Sequence, residues 1–156
     1  MKYIDTKIVF REVPDETSLA INISGCEIHC EGCHSSWLWK DEGKTLDCDS
    51  LENLIKNNPG ITCVCFMGGK QNDVEELADY IKSHHPELKT AWYTGLEIIE
   101  GSAFQSFDYF KVGPYKKECG GLDRPLTNQR FYKVVDKENF KAEDITNRFY
   151  ETQNKD

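Results

Sequence analysis

The chain has 156 residues, 38% hydrophobic and 29% charged, with 27 acidic against 19 basic side chains and a formal net charge of -8. That balance describes one folded domain with a real core, and the acidic excess repels phosphate backbones, so no nucleic-acid partner is expected. Seven cysteines cannot pair off completely as disulfides, Met1-Lys2-Tyr3-Ile4-Asp5 holds no apolar signal core, and no apolar run is long enough to span a bilayer; a soluble protein of the reducing cytoplasm, with no membrane partner, is the expectation.

In chain order, residues 7–13 read as a strand, Pro14-Asp15-Glu16-Thr17 as a turn, and residues 19–23 as a second strand. The run Ser24-Gly25-Cys26-Glu27-Ile28-His29-Cys30-Glu31-Gly32-Cys33-His34 starts where that strand ends, and Ser35-Ser36-Trp37-Leu38-Trp39 follows as an aromatic patch, either a shield against water or a core wedge. Asp49 or Ser50 can cap a helix carrying Leu51, Leu54 and Ile55, stopped by Pro59-Gly60. Residues 61–66 form a nearly all-apolar strand, which implies burial on both faces. Met67-Gly68-Gly69-Lys70-Gln71 makes a turn, and Asp73 with Glu76 can open a helix with Val74, Leu77, Ala78 and Ile81 on one face. Residues 90–93 give a strand leaving through Thr94-Gly95, 96–100 a short helix, 108–112 a strand leaving through Gly113-Pro114, and 131–135 a last strand; 141–156 are polar and expected to fray after Phe149-Tyr150. The alternation predicts an α/β fold, a single domain over residues 1–156 with a mostly parallel sheet and right-handed crossovers.

One consequence bears on function. The cysteine loop, Gly68-Gly69, Thr94-Gly95 and Gly113-Pro114 all leave strands directly. In a parallel sheet those exits share one edge, where α/β proteins place their ligands.

Cys26, Cys30 and Cys33 are spaced C-x3-C-x2-C, with no fourth cysteine nearby. An iron–sulfur cubane takes one thiolate per iron, so three protein ligands leave one iron open to outside chemistry. A zinc knuckle completed by His29 or His34, or simply buried thiols, are the alternatives on spacing alone. Cys63 and Cys65 fall on one face of a strand and read as core; Cys48 and Cys119 are isolated; His84-His85 suit a helix C-terminus. Gly68-Gly69 lets backbone approach a ligand, with an ordinary turn as the other reading, and a side chain added at Gly69 is expected to meet that ligand.

Together these residues resemble the radical S-adenosylmethionine (SAM) enzymes. Cys26-x3-Cys30-x2-Cys33 is similar to their cluster motif and Gly68-Gly69 to their SAM-binding turn. Within that superfamily the chain is most similar, over residues 3–150, to the activases of anaerobic ribonucleoside-triphosphate reductase. Ser24-Gly25 before the first cysteine, Cys33-His34, Gly113-Pro114-Tyr115 and Thr127-Asn128-Gln129-Arg130 carry that narrower likeness. Where the glycine turn usually continues with an acidic residue, this chain has Lys70, which would meet the SAM carboxylate or point to solvent. The resemblance implies a partial β/α barrel of about six strands. It implies a 4Fe–4S cluster on Cys26, Cys30 and Cys33 as metal ligands and catalytic centre. SAM would contact Gly32, Cys33, His34, Gly68, Gly69 and Thr94. It also implies reductive SAM cleavage, a glycyl radical raised on the reductase as protein partner, and a low-potential electron donor such as a flavodoxin or ferredoxin.

Overall fold

The computed structural model describes residues 1–25, 42–97, 99 and 101–154, the side chains of 151–154 excepted. Cys26, Cys30, Gly32, Cys33, His34 and the aromatic patch at 35–39 lie outside the described residues.

The described strands are β1 (Lys2–Val9), β2 (Ser18–Ile23), β3 (Lys44–Thr45), β4 (Cys63–Met67), β5 (Lys89–Tyr93), β6 (Tyr109–Val112), β7 (Arg130–Asp136) and β8 (Lys141–Asp144); the helices are α1 (Cys48–Lys56), α2 (Gln71–His84), α3 (Ala103–Ser106) and α4 (Asn147–Asn154). All eight strands join one sheet in the order β3-β1-β2-β4-β5-β6-β7-β8. The centre, β2-β4-β5-β6, is parallel. Both flanks are antiparallel, β3-β1-β2 on one side and β6-β7-β8 on the other. The sheet is therefore mixed, not mostly parallel. The reason is connectivity: β1–β2, β6–β7 and β7–β8 are joined without a crossover helix, and such connections return the chain antiparallel.

The two faces of the sheet have different cores. On one, Leu51 and Ile55 of α1 and Val74, Leu77, Ala78 and Ile81 of α2 pack against Leu19, Ile21, Ile23, Val64, Phe66 and Trp92. Phe107 after α3 stacks on Trp92 at 5.6 Å and meets Phe66 edge-on at 6.4 Å. On the other, Cys63, Cys65, Ala91, Tyr109 and Phe131 pack under Val13 and Ile145, from the β1–β2 connection and the end of β8. Alternation along β4 sends Cys63 and Cys65 to this second face and Val64 and Phe66 to the helical one, which is why the whole strand is apolar.

Local details depart from expectation in four places. The α1 cap is Asp47, not Asp49 or Ser50: its carboxylate accepts from Ser50 N at 2.9 Å while the Ser50 hydroxyl accepts from Asp47 N at 2.9 Å. α2 starts at Gln71 after Lys70, with no side-chain cap, so Asp73 lies in its first turn. The described residues among 96–100 are not helical, and the short helix begins at Ala103. The polar stretch from 141 holds β8 and α4, and α4 runs on to Asn154, past the Phe149-Tyr150 pair after which fraying is expected.

Candidate functional site

The parallel pairing brings four strand exits to one edge. Asn22 of β2 lies beside Met67 of β4, Met67 beside Tyr93 of β5, and Tyr93 beside Lys111 of β6. Past this row come Ser24-Gly25, Gly68-Gly69, Thr94-Gly95 and Gly113-Pro114. Gly25 (φ 79), Gly68 (φ 102), Gly69 (φ 89) and Gly113 (φ 102) all turn there with positive φ, a conformation that glycine adopts without strain.

Hydrogen bonds lock the turns to one another. Gly68 N donates to Tyr93 O at 2.9 Å and Thr94 N to Lys111 O at 2.9 Å. Trp92 Nε1 donates to Gly68 O at 2.9 Å. The Gly68 turn also abuts the end of β2, since a Cβ built on Gly68 would lie 3.5 Å from Ile23 O. The strand that leads into the cysteine loop thus ends against the glycine turn.

The two predicted glycines differ. A Cβ on Gly69 would sit 2.7 Å from Val74 Cγ1 and 3.2 Å from both Ile23 Cδ1 and Met1 Sδ. Gly69 is therefore packed tightly between α2 and β2, and a side chain there meets Val74 within the protein itself. Gly68 has room for a Cβ. Thr94 is buried, and its hydroxyl accepts from Leu96 N at 3.1 Å, which closes its own turn. Lys70 is the exposed residue before α2.

Lys111 was not singled out from the sequence. It is 8% exposed, and its Nζ donates to Gly113 O at 3.1 Å and lies 5.8 Å from the centre of the Tyr93 ring. A lysine in an otherwise apolar strand was the available signal. The late segments named in the resemblance hold the same backbone: Asn128 Nδ2 donates to Pro114 O at 2.9 Å and Gln129 Nε2 to Gly113 O at 3.5 Å. Asn128 Oδ1 is buried and has no hydrogen-bond partner among the described residues.

Electrostatics sort the remaining cysteines. Burial pushes the Cys63 thiol up to about 12 and the Cys65 thiol well above its ordinary value; Cys65 Sγ lies 3.5 Å from Met67 Sδ. Such thiols stay protonated, and metal ligands must be thiolates. Cys48 opens α1 beside Asp47, Asp49 and Glu76, and burial first, then those carboxylates, raise its pKa. His85 is held by Glu52 at 2.9 Å and His84 stacks on Tyr80 at 4.1 Å, so both histidines serve the helix end.

On the second face, a cavity of about 430 Å³ extends from Tyr93 to Phe10, Glu12, Leu122, Arg148 and Phe149. The Tyr93 hydroxyl donates to Glu12 O at its wall. Arg148 of α4 grips both carboxylate oxygens of Asp15 at 2.5 and 2.8 Å, and Phe149 packs 5.0 Å from Phe131.

The model of the family described as a 4Fe-4S single cluster domain matches residues 17–112, more than half of the chain. The protein belongs to that family and is an iron–sulfur, metal-binding protein. No curated protein and no solved structure matches the chain. Among the described residues, no helix is long and apolar enough to cross a membrane.

Proposed function

We propose that the chain is a radical SAM activase that raises a glycyl radical on the anaerobic ribonucleoside-triphosphate reductase. The observation that carries the reading is the meeting of two motifs. The strand leading to Cys26-x3-Cys30-x2-Cys33 ends at Ile23, against the Gly68 turn, within a span that matches a single-cluster 4Fe–4S family. The parallel centre β2-β4-β5-β6 is read as a β/α barrel trimmed to part of its circumference.

Cys26, Cys30 and Cys33 hold the cluster in this reading. Of the other cysteines in the matched span, Cys63 and Cys65 are kept protonated in the core, and Cys48 sits among carboxylates that oppose its ionisation. The edge fits SAM chemically: the Gly68 turn leaves space that a Cβ would occupy, Lys111 supplies a cation for a carboxylate, and Asn128 Oδ1 is a buried acceptor beside Gly113-Pro114. When bound, the cluster supplies one low-potential electron to the sulfonium of SAM, which yields methionine and a 5′-deoxyadenosyl radical that takes a hydrogen atom from glycine.

The chain's own groups orient the ligand. Backbone at Gly68 would lie against the ligand and Lys111 would meet its carboxylate, with Cys65, Met67 and Tyr93 on the same side of the sheet as Lys111. The cavity beneath Tyr93 leaves room for a few residues of a partner loop.

The test is to incubate the reduced, SAM-loaded protein with the reductase without oxygen. A carbon-centred doublet in electron paramagnetic resonance, formed with 5′-deoxyadenosine, supports the proposal. Deoxyadenosine without a radical on the reductase points to a radical SAM enzyme with another target. Zinc without sulfide points to a non-catalytic interaction module.

A further inference from the structure

Lys82 lies in the last turn of α2, at the end away from the glycine turn, and is half-buried. Its amine is in hydrogen-bonding contact with Lys137, which belongs to the β7–β8 connection. Two ammonium groups cannot share a hydrogen bond, since each has donors and no acceptor. One of the two must be a neutral amine that accepts through its lone pair. Asp108 decides which: its Oδ1 holds Lys137 Nζ at 2.9 Å, while its Oδ2 accepts from Thr90 N at 2.9 Å. The charge therefore stays on Lys137, and Lys82 is the neutral partner.

We propose that Lys82 is an acylation site, whose neutral amine takes the acyl group of an acyl phosphate drawn in by the Lys137 ammonium. A lysine that is desolvated and set beside a second cation is a ready nucleophile. Its nitrogen attacks the acyl carbon, the bond from that carbon to the phosphate oxygen breaks, and phosphate leaves with the electron pair. A carbon–nitrogen amide bond forms, and the nitrogen gives its proton to water. No oxidant or reductant is needed. The amide keeps a carbonyl oxygen to which Lys137 can donate, so the contact survives the modification.

Three charged groups face Lys82, one from each element packed about it. Asp79 stands one turn back on α2, where its Oδ1 accepts from Ser106 Oγ at 3.0 Å. Asp108 comes from the residue before β6, and Lys137 from the β7–β8 connection. Burial, then the Lys137 ammonium, lowers the Lys82 amine from 10.5 to about 8, against the pull of both carboxylates. At about pH 7.5, roughly a quarter of such amines are unprotonated, against roughly one in a thousand ordinary lysines. Acylation of a neutral amine adds no charge beside Asp79 and Asp108, and Lys137 supplies the cation that an incoming phosphate needs.

Brief treatment of the folded full chain with acetyl phosphate, with the acetyl groups located by mass spectrometry, tests this. At about pH 7.5 Lys82 should be acetylated at least about tenfold faster than the exposed Lys56 and Lys89, and its rate should level off above about pH 9. Lys137→Met, checked for folding by circular dichroism, should cut the Lys82 rate at least about tenfold and leave that of Lys56 unchanged. The wild-type pH profile decides the matter should that variant not fold. An uncharged acetyl thioester should favour Lys82 less than acetyl phosphate does, because Lys137 then has no phosphate to hold. A Lys82 that reacts no faster than Lys89, a rate still climbing at about pH 10, an unchanged rate in Lys137→Met, or an equal preference with the thioester overturns the proposal.

Discussion

The indole Nε1 of Trp92 donates a 2.9 Å hydrogen bond to the carbonyl oxygen of Gly68. Trp92 is fully buried and stacked on Phe107, so the densest part of the helical core fixes the first residue of the glycine turn. Trp92→Phe keeps much of the packing but leaves that carbonyl without its donor. The expected cost is about 1–3 kcal/mol in urea unfolding. SAM affinity, measured by calorimetry on the reconstituted protein, should fall as well, because the turn loses its anchor.

The two glycines of that turn separate stability from binding. Gly69→Ala forces a Cβ to 2.7 Å from Val74 Cγ1 in a left-handed backbone, and should cost about 2–4 kcal/mol of stability whether or not ligand is present. Gly68→Ala meets nothing closer than 3.5 Å, so its cost is confined to backbone strain of about 1–2 kcal/mol. Its larger effect should be on SAM affinity. Equal binding by wild type and Gly68→Ala would mean the ligand does not approach this backbone.

What was legible in the sequence follows from the range of the interactions involved. The apolar run at β4 and the helical spacing of Val74, Leu77, Ala78 and Ile81 are local signals of burial, and both elements formed. The convergence of strand exits followed from the parallel centre, and the structure has it. The antiparallel flanks are not legible in the sequence, because such a return is set by the connections, which carry little pattern. α4 was missed because its sequence is polar; it is held by distant partners, Asp15 for Arg148 and Phe131 for Phe149. Lys111 was passed over because only the fold turns that strand position into a buried cation beside Gly113.

The thiols should divide sharply in an alkylation experiment on the folded protein. Burial holds Cys63 at about 12 and Cys65 well above its ordinary value, so neither should react with iodoacetamide at mildly alkaline pH until the chain unfolds. Mass spectrometry after labelling reads this directly. Labelling of Cys65 at the rate of global unfolding is expected; rapid labelling in native buffer would contradict the placement of β4.

Acid should release α4 before it unfolds the sheet. The Arg148 hydrogen bonds and charge hold the Asp15 carboxyl below its ordinary 3.8. A depressed carboxylate contributes stability that is complete above the ordinary value and is lost as pH falls through the lower, folded one. Amide protection in α4 should therefore drop below about pH 4 while protection in β4 and β5 persists. Asp15→Asn should show the loosened helix already at neutral pH, and added salt should weaken the wild-type pair because both partners are largely exposed.

The cluster assignment is tested most directly by anaerobic reconstitution of the wild type and of Cys30→Ala, with iron, acid-labile sulfide and zinc measured together with 5′-deoxyadenosine formed from SAM under a strong reductant. The wild type should take up about four irons and four sulfides per chain and release deoxyadenosine. Cys30→Ala should lose the cluster and the activity together, while Cys48→Ala and Cys119→Ala keep both. Full deoxyadenosine formation by Cys30→Ala, or a wild type that binds one zinc and no sulfide, would contradict the assignment.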